Sequence, residues 1–222
     1  MKIDPKHVRW LFFDVGDTLL DERDSMFDWC GQVASELTRR GRATMASDVY
    51  TARQQAHVEF ATNVLQRILE ILNVPNESSV FEIARYQHSL EHPREHAADV
   101  IAQLATSFQL GVIANQSAGT EQRLCNHGWT GVFAVCISST EENVRKPDPA
   151  IFKLALERAQ CPPEQAIMIG DRVDNDIRPA KAIGMGTVRL RVGLSAAQQP
   201  RGPEDEADAT IESLAELPGL LL

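Results

Sequence analysis

Three carboxylates and one lysine have the types and positions that chemistry on a phosphorylated compound requires. Asp14 directly follows the apolar run Trp10–Phe13. Asp171 follows a second apolar run, and Asp176 lies five residues after it. Clustered carboxylates do not all ionise cheaply without a cation, and an oxygen-rich site with room for water and phosphate suits Mg²⁺. Lys146 would then face a phosphate or hold a carboxylate nucleophile in its ionised form.

Short apolar strands alternate with helical patterns from residue 94 to the end of the chain. The strand patterns span residues 109–115, 132–137, 166–170 and 187–192. This alternation is typical of a parallel sheet with helices on both faces. We therefore expect an α/β fold with a doubly wound, mostly parallel sheet. Because ligands bind at the carboxyl ends of such strands, Asp14, Asn115 and the Gly170-Asp171 pair should converge at one edge.

A helical block interrupts the chain soon after the first strand. Helical periodicity covers residues 24–40, 48–72 and 78–90, and no strand pattern lies between them. Pro93 marks the exit from this block, since proline does not continue a helix. The pattern predicts a core of residues 1–20 plus 94–222 and a helical cap of residues 21–93 that could close over Asp14.

Composition indicates which binding partners are excluded and in which cellular compartment we expect the protein. The 222 residues carry a formal net charge of −9, which offers no basic field to a nucleic acid or to an anionic membrane. The four cysteines show no C-x-x-C spacing and are interpreted as reduced thiols. No signal-peptide core and no apolar run of about 20 residues is present. We expect a cytoplasmic soluble protein, and the pattern favours neither a monomer nor a homodimer.

Four segments resemble, in order and spacing, the motifs of the haloacid dehalogenase-like hydrolase superfamily. They are Asp14–Thr18, Ile113–Asn115, Arg145–Asp148 and Ile169–Asp176. Each motif alone is weak, but four in register across nearly the whole chain are specific. The resemblance implies a Rossmann-like core, and the helical insert resembles the C1-type cap of that family.

The same resemblance implies a role for each matching residue. Asp14 would be a nucleophile that forms a covalent aspartyl intermediate, which water then hydrolyses. Mg²⁺ would be held by Asp14, by the backbone carbonyl of Gly16 and by Asp171. Asp176 would support these ligands without contacting the ion, or would bind it through a water. Lys146 would orient Asp14 and offset phosphate charge.

Two positions depart from the family pattern. Family phosphatases usually carry a general acid and base two residues after the nucleophile, where this chain has Gly16. Asp17 lies one residue later, so its side chain should point elsewhere. General acid–base help is typically worth ~10²–10⁴-fold, so acyl or aryl phosphates should suffer less from this loss than alkyl phosphates.

The second departure is Ala114, where the family usually has a serine or threonine that binds the phosphoryl group. Asn115, Gln116 and Lys146 are the candidates for substrate binding in its place. The backbone near Gln116 and Ser117 is a further candidate.

Three functions follow from these residues, and one is preferred. The preferred function is a Mg²⁺-dependent phosphohydrolase that acts on a small phosphorylated metabolite. A metal-independent 2-haloacid dehalogenase would also lack the second aspartate, but Asp171 would repel a substrate carboxylate when no cation is present. A catalytically weak relative that binds a metabolite or a protein partner is the third, and the presence of Asp14, Lys146, Asp171 and Asp176 argues against it.

Overall fold

Six parallel strands form the main sheet of the computed structural model, which describes residues 4–222. In chain order the strands are β1 Trp10–Phe13, β2 Leu20–Asp21, β3 His92–Pro93, β4 Gln109–Ala114, β5 Val135–Ser138, β6 Ala166–Gly170, β7 Gly186–Leu190 and β8 Ala209–Ile211. The main sheet has the order β5-β4-β1-β6-β7-β8, and β2 pairs with β3 separately. Each pair of neighbours in the main sheet is parallel. The predicted α/β fold with a parallel sheet is confirmed.

Ten α-helices connect these strands within residues 4–222. They are α1 Arg23–Arg39, α2 Ala46–Val58, α3 Val64–Ile71, α4 Val80–Ile83, α5 Ala97–Leu104, α6 Thr120–Asn126, α7 Ser139–Glu142, α8 Pro149–Ala159, α9 Arg178–Ala182 and α10 Leu217–Leu221. A π-helical turn, Val173–Ile177, comes directly before α9. None of the described helices is both long and apolar enough to cross a membrane.

The central strand β1 is buried on both faces, and this burial fixes the position of Asp14, the residue that follows the strand. Side chains alternate along a strand, so Leu11 and Phe13 pack in one apolar cluster, which includes residues of α5 and α10. Trp10 and Phe12 pack in a second cluster, which includes residues of α8. A strand that is covered on both faces has a continuous apolar sequence. For this reason the four residues before Asp14 are all apolar.

The chain divides into two compact units. The first, which we call the sheet unit, contains the chain up to Leu20, Pro93–Val192 and Gln199–Leu222. The second, which we call the helical unit, contains Asp21–His92 and Gly193–Gln198. The sequence pattern did not separate the short segment after β7 from the core.

The helical unit departs from the predicted helices at two places. The long helix expected over residues 48–72 is two helices, α2 and α3. Between them Phe60 takes a positive φ of 55°, and the Asn63 side chain caps α3 by accepting a hydrogen bond from Gln66 N at 3.0 Å. The helix expected over residues 78–90 shrinks to α4 and a single 3₁₀ turn, His88–Leu90.

Candidate active site

Asp14 lies at the carboxyl end of the central strand. Its backbone N–H donates to the carbonyl of Ile169 on β6 at 2.9 Å, which continues the β1–β6 ladder by one residue. The residue as a whole is 9% exposed. The ladder therefore fixes the Asp14 backbone at the edge of the sheet where the sequence predicted it.

Asp171 and Asp176 reach the same edge from β6 and from the π-helical turn that follows it. One carboxylate oxygen from each of Asp14, Asp171 and Asp176 lies within 4.8 Å of the others, and all three side chains are buried. Asp176 Oδ2 accepts a hydrogen bond from the backbone N–H of Arg172 at 3.0 Å, which turns the carboxylate back toward the strand.

Gly170 makes room for that carboxylate. A Cβ atom at position 170 would lie 2.5 Å from Asp176 Cγ, closer than real carbon atoms approach. Glycine is therefore needed here for a close approach of a side chain to the backbone, and not for a left-handed turn. The glycine and the π-helical turn together allow a carboxylate five residues after Asp171 to return to the strand end.

Lys146 joins these elements through all three of its N–H bonds. Its Nζ donates to Asp14 Oδ1 at 2.7 Å, to Asp176 Oδ1 at 2.5 Å and to the carbonyl of Ile113 at 2.9 Å. An ammonium group has three donors, so the whole set is used inside the protein. In this arrangement Lys146 orients Asp14 and holds Asp176 beside it.

Asn115 fixes the backbone of Lys146. Its Nδ2 donates to the Lys146 carbonyl at 2.8 Å, and its Oδ1 accepts from the Lys146 N–H at 2.8 Å. Both ends of the amide are thus bonded to one peptide segment, and a cis peptide bond joins Lys146 to Pro147. The geometry gives Asn115 a positioning role, and its contact with substrate stays a prediction.

Gln116 lies in a loop that is tied down by its neighbours. Its side-chain oxygen accepts a hydrogen bond from Arg123 Nη2 at 2.9 Å. Its backbone carbonyl accepts from the hydroxyl groups of Ser138, Ser139 and Thr140. This loop follows β4 and lies at the same edge as Asp14, and a substrate-binding role for Gln116 stays a prediction.

Burial and mutual repulsion set the electrostatics of the carboxylates. Burial, then the charges of Asp176, Asp17 and Asp14, raise the pKa of Asp171 well above 3.8. Burial raises the pKa of Asp176 to about 6, although Lys146 acts in the opposite direction. For Lys146 burial acts to lower the pKa, but the charges of Asp14 and Asp176 outweigh it and the net change is upward.

The charge balance of this cluster fits a divalent cation. If all three carboxylates ionise, three negative charges face the single positive charge of the Lys146 ammonium, and the guanidinium groups of Arg172 and Arg189 also interact with Asp171. A cation placed among carboxylate oxygens would remove the repulsion that raises the pKa of Asp171. The donor set consists of oxygen atoms, which is the set that Mg²⁺ prefers.

The chain makes a tight turn directly after Asp14, and this turn contains Gly16 and Asp17. The Val15 carbonyl accepts from the N–H groups of Thr18, Leu19 and Leu20, so the chain reverses tightly here. Asp17 adopts a positive φ of 53°. Its Oδ1 pairs with Nη2 of Arg94 at 3.3 Å, and the expectation that this carboxylate cannot replace the missing general acid stays a prediction.

Several charged residues beside the site escaped the sequence analysis. Arg94 pairs with Asp17 across 77 positions in the chain, and no local pattern marks it apart from its place directly after Pro93. Arg172 binds both oxygens of Asp174, at 3.2 and 2.5 Å, within the π-helical turn. Buried Arg189 donates from Nε to the Asp171 carbonyl at 3.4 Å. Its position in the apolar strand β7 is the one signal that could have identified it, since a buried arginine needs an acceptor.

Comparison with known proteins gives a family match and a shared fold. The family described as haloacid dehalogenase-like hydrolase matches residues 8–184. Over 223 residues the chain is 28% identical to a protein named glyceraldehyde 3-phosphate phosphatase from Methanopyrus kandleri, with 95% of each chain covered.

Solved structures agree with this match at the level of fold. The putative HAD-hydrolase YfnB from Bacillus subtilis, bound to magnesium, has a TM-score of 0.70 at 21% identity, with 96% of this chain and 98% of that chain covered. A 2-haloacid dehalogenase from Pseudomonas syringae pv. Tomato DC3000 has a TM-score of 0.62 at 24% identity and the same coverage.

Proposed function

Because the chain belongs to the haloacid dehalogenase-like hydrolase family, we propose that it is a Mg²⁺-dependent phosphohydrolase that acts on a small phosphorylated metabolite. The observation that carries this proposal is the buried group of Asp14, Asp171 and Asp176 around the ammonium of Lys146. Three carboxylates buried close together repel one another when they ionise, and a cation among them would allow the site to accept an anionic substrate.

Asp14 is the nucleophile of the proposed reaction. A carboxylate oxygen attacks phosphorus, so that one bond from Asp14 to phosphorus forms while the bond from phosphorus to the leaving oxygen breaks. Water then attacks phosphorus, which breaks the bond to Asp14, releases phosphate and restores the carboxylate. Lys146 Nζ donates to Asp14 Oδ1 at 2.7 Å and so holds the carboxylate in one orientation before the attack.

Asp14, the Gly16 carbonyl and Asp171 are the proposed ligands of Mg²⁺, with Asp176 behind them. A divalent cation held there would supply positive charge to offset the negative charge of the phosphoryl oxygens. Asp176 already accepts from Lys146 and from the Arg172 N–H, which suits a residue that supports the site from behind.

The class of phosphorylated substrate rests on two observations that point in different directions. Gly16 offers no proton to a leaving group, which favours acyl or aryl phosphates. The relative from Methanopyrus kandleri is named for glyceraldehyde 3-phosphate, an ester of an ordinary alcohol. An alkyl phosphate therefore belongs beside the activated phosphates in the first test. A cytoplasmic location and a cap of residues 21–93 that closes over Asp14 stay predictions.

A turnover screen with and without Mg²⁺ tests the proposal. Aryl phosphate, acyl phosphate, glyceraldehyde 3-phosphate and chloroacetate are each incubated with the protein in Mg²⁺ and in EDTA. We expect Mg²⁺-dependent release of phosphate and no release of chloride. Chloride release that resists EDTA would establish the dehalogenase in its place. If no ester turns over while a metabolite binds tightly, the binding-protein function is correct.

The nucleophile has its own test. Asp14→Asn should lower turnover of the best ester by at least about 10³-fold, because an amide is a poor nucleophile at phosphorus. Rapid-quench measurement of protein-bound phosphate should find an acyl phosphate in the parent protein and none in the variant. Asp99→Asn, which changes an exposed carboxylate on α5, is the matched control and should keep full turnover. Normal turnover by Asp14→Asn would remove the nucleophile assignment.

A further inference from the structure

Arg178 closes the π-helical turn that carries Asp176. Its backbone N–H donates to the carbonyl of Val173, five residues earlier, whereas an α-helix pairs residues four apart. Pro179 follows directly and has no N–H, so the α-helical bond from this position to residue 175 cannot form. The shape of the wide turn therefore depends on where Arg178 is held.

A buried carboxylate on the loop of residues 199–208 holds the side chain of Arg178. Asp205 is 1% exposed, and its Oδ1 lies 3.4 Å from Arg178 Nη1. Its Oδ2 accepts hydrogen bonds from Nε and from the backbone N–H of Arg201, at 2.7 and 3.1 Å. A carboxylate buried to this extent needs positively charged partners. One of these partners lies on the loop itself, and the other is the first residue of α9.

The loop contacts α9 at a second point, about one turn further along. Lys181 Nζ donates to the carbonyls of Pro203 and Glu206, at 3.0 and 2.7 Å. Residues 178 and 181 lie on one face of the helix, because they are three positions apart. The loop and α9 both belong to the sheet unit, so these contacts lie within one compact unit. The loop therefore holds α9 along one face, from its first residue to its fourth.

Asp176 lies two residues before Arg178, and both of its carboxylate oxygens are hydrogen-bonded. Oδ1 accepts from Lys146 Nζ at 2.5 Å, and Oδ2 accepts from the Arg172 N–H at 3.0 Å. A movement of about 1 Å in the turn would take at least one of these contacts beyond hydrogen-bonding distance. Because Lys146 also donates to Asp14, such a movement would change the support of the proposed nucleophile.

We propose that Asp205 and Arg178 are positioning residues for the active site. Their ion pair holds the π-helical turn in the shape that keeps Asp176 against Lys146. Neither residue is assigned a contact with substrate or with the cation, and both act through the backbone of residues 176–178. This inference rests on the proposed function, since it takes Asp14 as the nucleophile that Lys146 orients.

Amide hydrogen exchange of the metal-free protein tests the link without any turnover. The N–H groups of Asp176 and Ile177 both donate to the Arg172 carbonyl, at 2.9 and 3.2 Å, and so report opening of the turn. Asp205→Asn and Arg178→Met should each raise the exchange rates of these two amides by about fivefold or more. Equal rates in the parent protein and in both variants would overturn the inference.

A double-variant cycle with Asp176 separates positioning from a merely structural role. Asp205→Asn should lower kcat on the best ester by about threefold to thirtyfold with little change in KM, because positioning acts on the chemical step. In the Asp176→Asn background the same change should alter kcat by less than about twofold, since an amide offers one acceptor atom in place of two. Equal fold-changes in the two backgrounds would indicate a role in stability alone and would overturn the inference.

Two further variants serve as controls. Arg178→Lys keeps a positive charge beside Asp205 and should stay within about threefold of the parent kcat. Arg158→Met breaks the ion pair with Glu142, which also lies in the sheet unit, and the Arg158 side chain is 44% exposed against 46% for Arg178. This variant should change neither kcat nor the exchange of the turn. An equal loss in Arg158→Met would show that kcat follows general stability, and the inference would then be wrong.

Failure of the inference can be told from failure of the proposed function. If the parent protein turns over esters but Asp205→Asn changes neither the exchange of the turn nor kcat, only the inference is overturned. If the parent protein turns over no ester, the proposed function fails, and the exchange rates still decide whether the ion pair holds the turn. Thermal unfolding shows that each variant is folded, and Arg178→Met supplies both measurements if Asp205→Asn does not fold.

Discussion

Asp171 is the residue at which the requirements of folding and of cation binding conflict. Burial and three neighbouring carboxylates raise its pKa well above 3.8. An unfolded Asp171 ionises near pH 4, so above that pH the native metal-free protein holds more protons than the unfolded chain. Stability from this residue is therefore lost as the pH rises from about 4 through the folded-state pKa. The cation that reverses this loss is the same one that the proposed reaction needs.

Asp171→Asn should therefore stabilise the metal-free protein while it weakens Mg²⁺ binding. We expect the unfolding midpoint in EDTA at pH 7 to rise by about 2–4 °C for each kcal/mol recovered. The difference between the variant and the parent protein should grow as the pH is raised from 4 to 7, because only the parent loses the contribution of Asp171 over that range. Thermal unfolding at several pH values measures this, with Asp99→Asn as the control. A variant that is less stable than the parent at pH 7 in EDTA would contradict the argument.

Gly16→Asp tests whether a missing proton donor limits the choice of substrate. The variant restores a carboxylate two residues after Asp14, so turnover of alkyl phosphates should rise by up to about 10²-fold while aryl phosphates change little. Initial rates on a series of phosphate esters with leaving groups of increasing basicity provide the measurement. An equal change for all leaving groups, in folded protein, would show that proton donation is not the limitation. Gly219→Ala on α10, where a Cβ meets nothing within 4 Å, is a suitable control.

For single residues, the sequence predicted which side chains would lie close together, and the structure showed the hydrogen bonds between them. Asp14 and Asp171 could be predicted because each directly follows an apolar strand of a parallel sheet. The contact of Lys146 with Asp176 could not be predicted, because it depends on a π-helical turn that no local pattern marks. The pair of Asp17 and Arg94 could not be predicted either, because the two residues are 77 positions apart and no local pattern relates them.

The π-helical turn Val173–Ile177 is the element that brings the third carboxylate into the site. It widens the first turn before α9, and such turns are rare and frequent at functional sites. The position of Asp176 then depends on the absence of a side chain at residue 170. A change in this element should act on the site without removing any charged group.

Gly170→Ala is the sharpest test of that dependence. The new methyl group would lie 2.5 Å from Asp176 Cγ, so either the carboxylate or the π-helical turn must shift. We expect turnover to fall at least about tenfold and stability to fall by about 1–3 kcal/mol, as for overpacking in a core. Activity assays and urea unfolding measure the two effects. Gly219→Ala should leave both within error or slightly raise stability, since alanine is favoured over glycine in a helix. Unchanged activity in Gly170→Ala would show that Asp176 is not held by this contact.

The strands could be predicted more closely than the helices of the helical unit. Runs such as 166–170 are wholly apolar and bounded by turn residues, and the observed strand Ala166–Gly170 matches the prediction. The helical periodicity of residues 48–72 continues in register through a break, so periodicity alone joined α2 to α3. The break depends on the positive φ of Phe60 and on the side-chain cap by Asn63. Neither feature changes the spacing of the apolar residues, so the sequence pattern does not reveal it.

For the molecule as a whole, Mg²⁺ binding and folding should be linked. A cation that binds the native state alone stabilises it by about 2.7 kcal/mol at 100 times its Kd. For a protein of this size we expect the unfolding midpoint to rise by about 5–10 °C relative to EDTA. Differential scanning fluorimetry at constant ionic strength measures the shift. Asp171→Asn should lose most of it, and an equal shift in that variant would place the cation elsewhere on this chain of net charge −9.

The helical unit is not a single stretch of chain, and this affects any attempt to exchange it. Leu194 belongs to the apolar cluster of that unit, and buried Gln198 donates from Nε2 to the His57 carbonyl at 2.8 Å. A chimera that replaced only residues 21–92 would change the apolar neighbours of Leu194 and the segment whose backbone carbonyl accepts from Gln198. An exchange of the helical unit with that of a relative therefore requires a graft of two segments, the second being the one that follows β7.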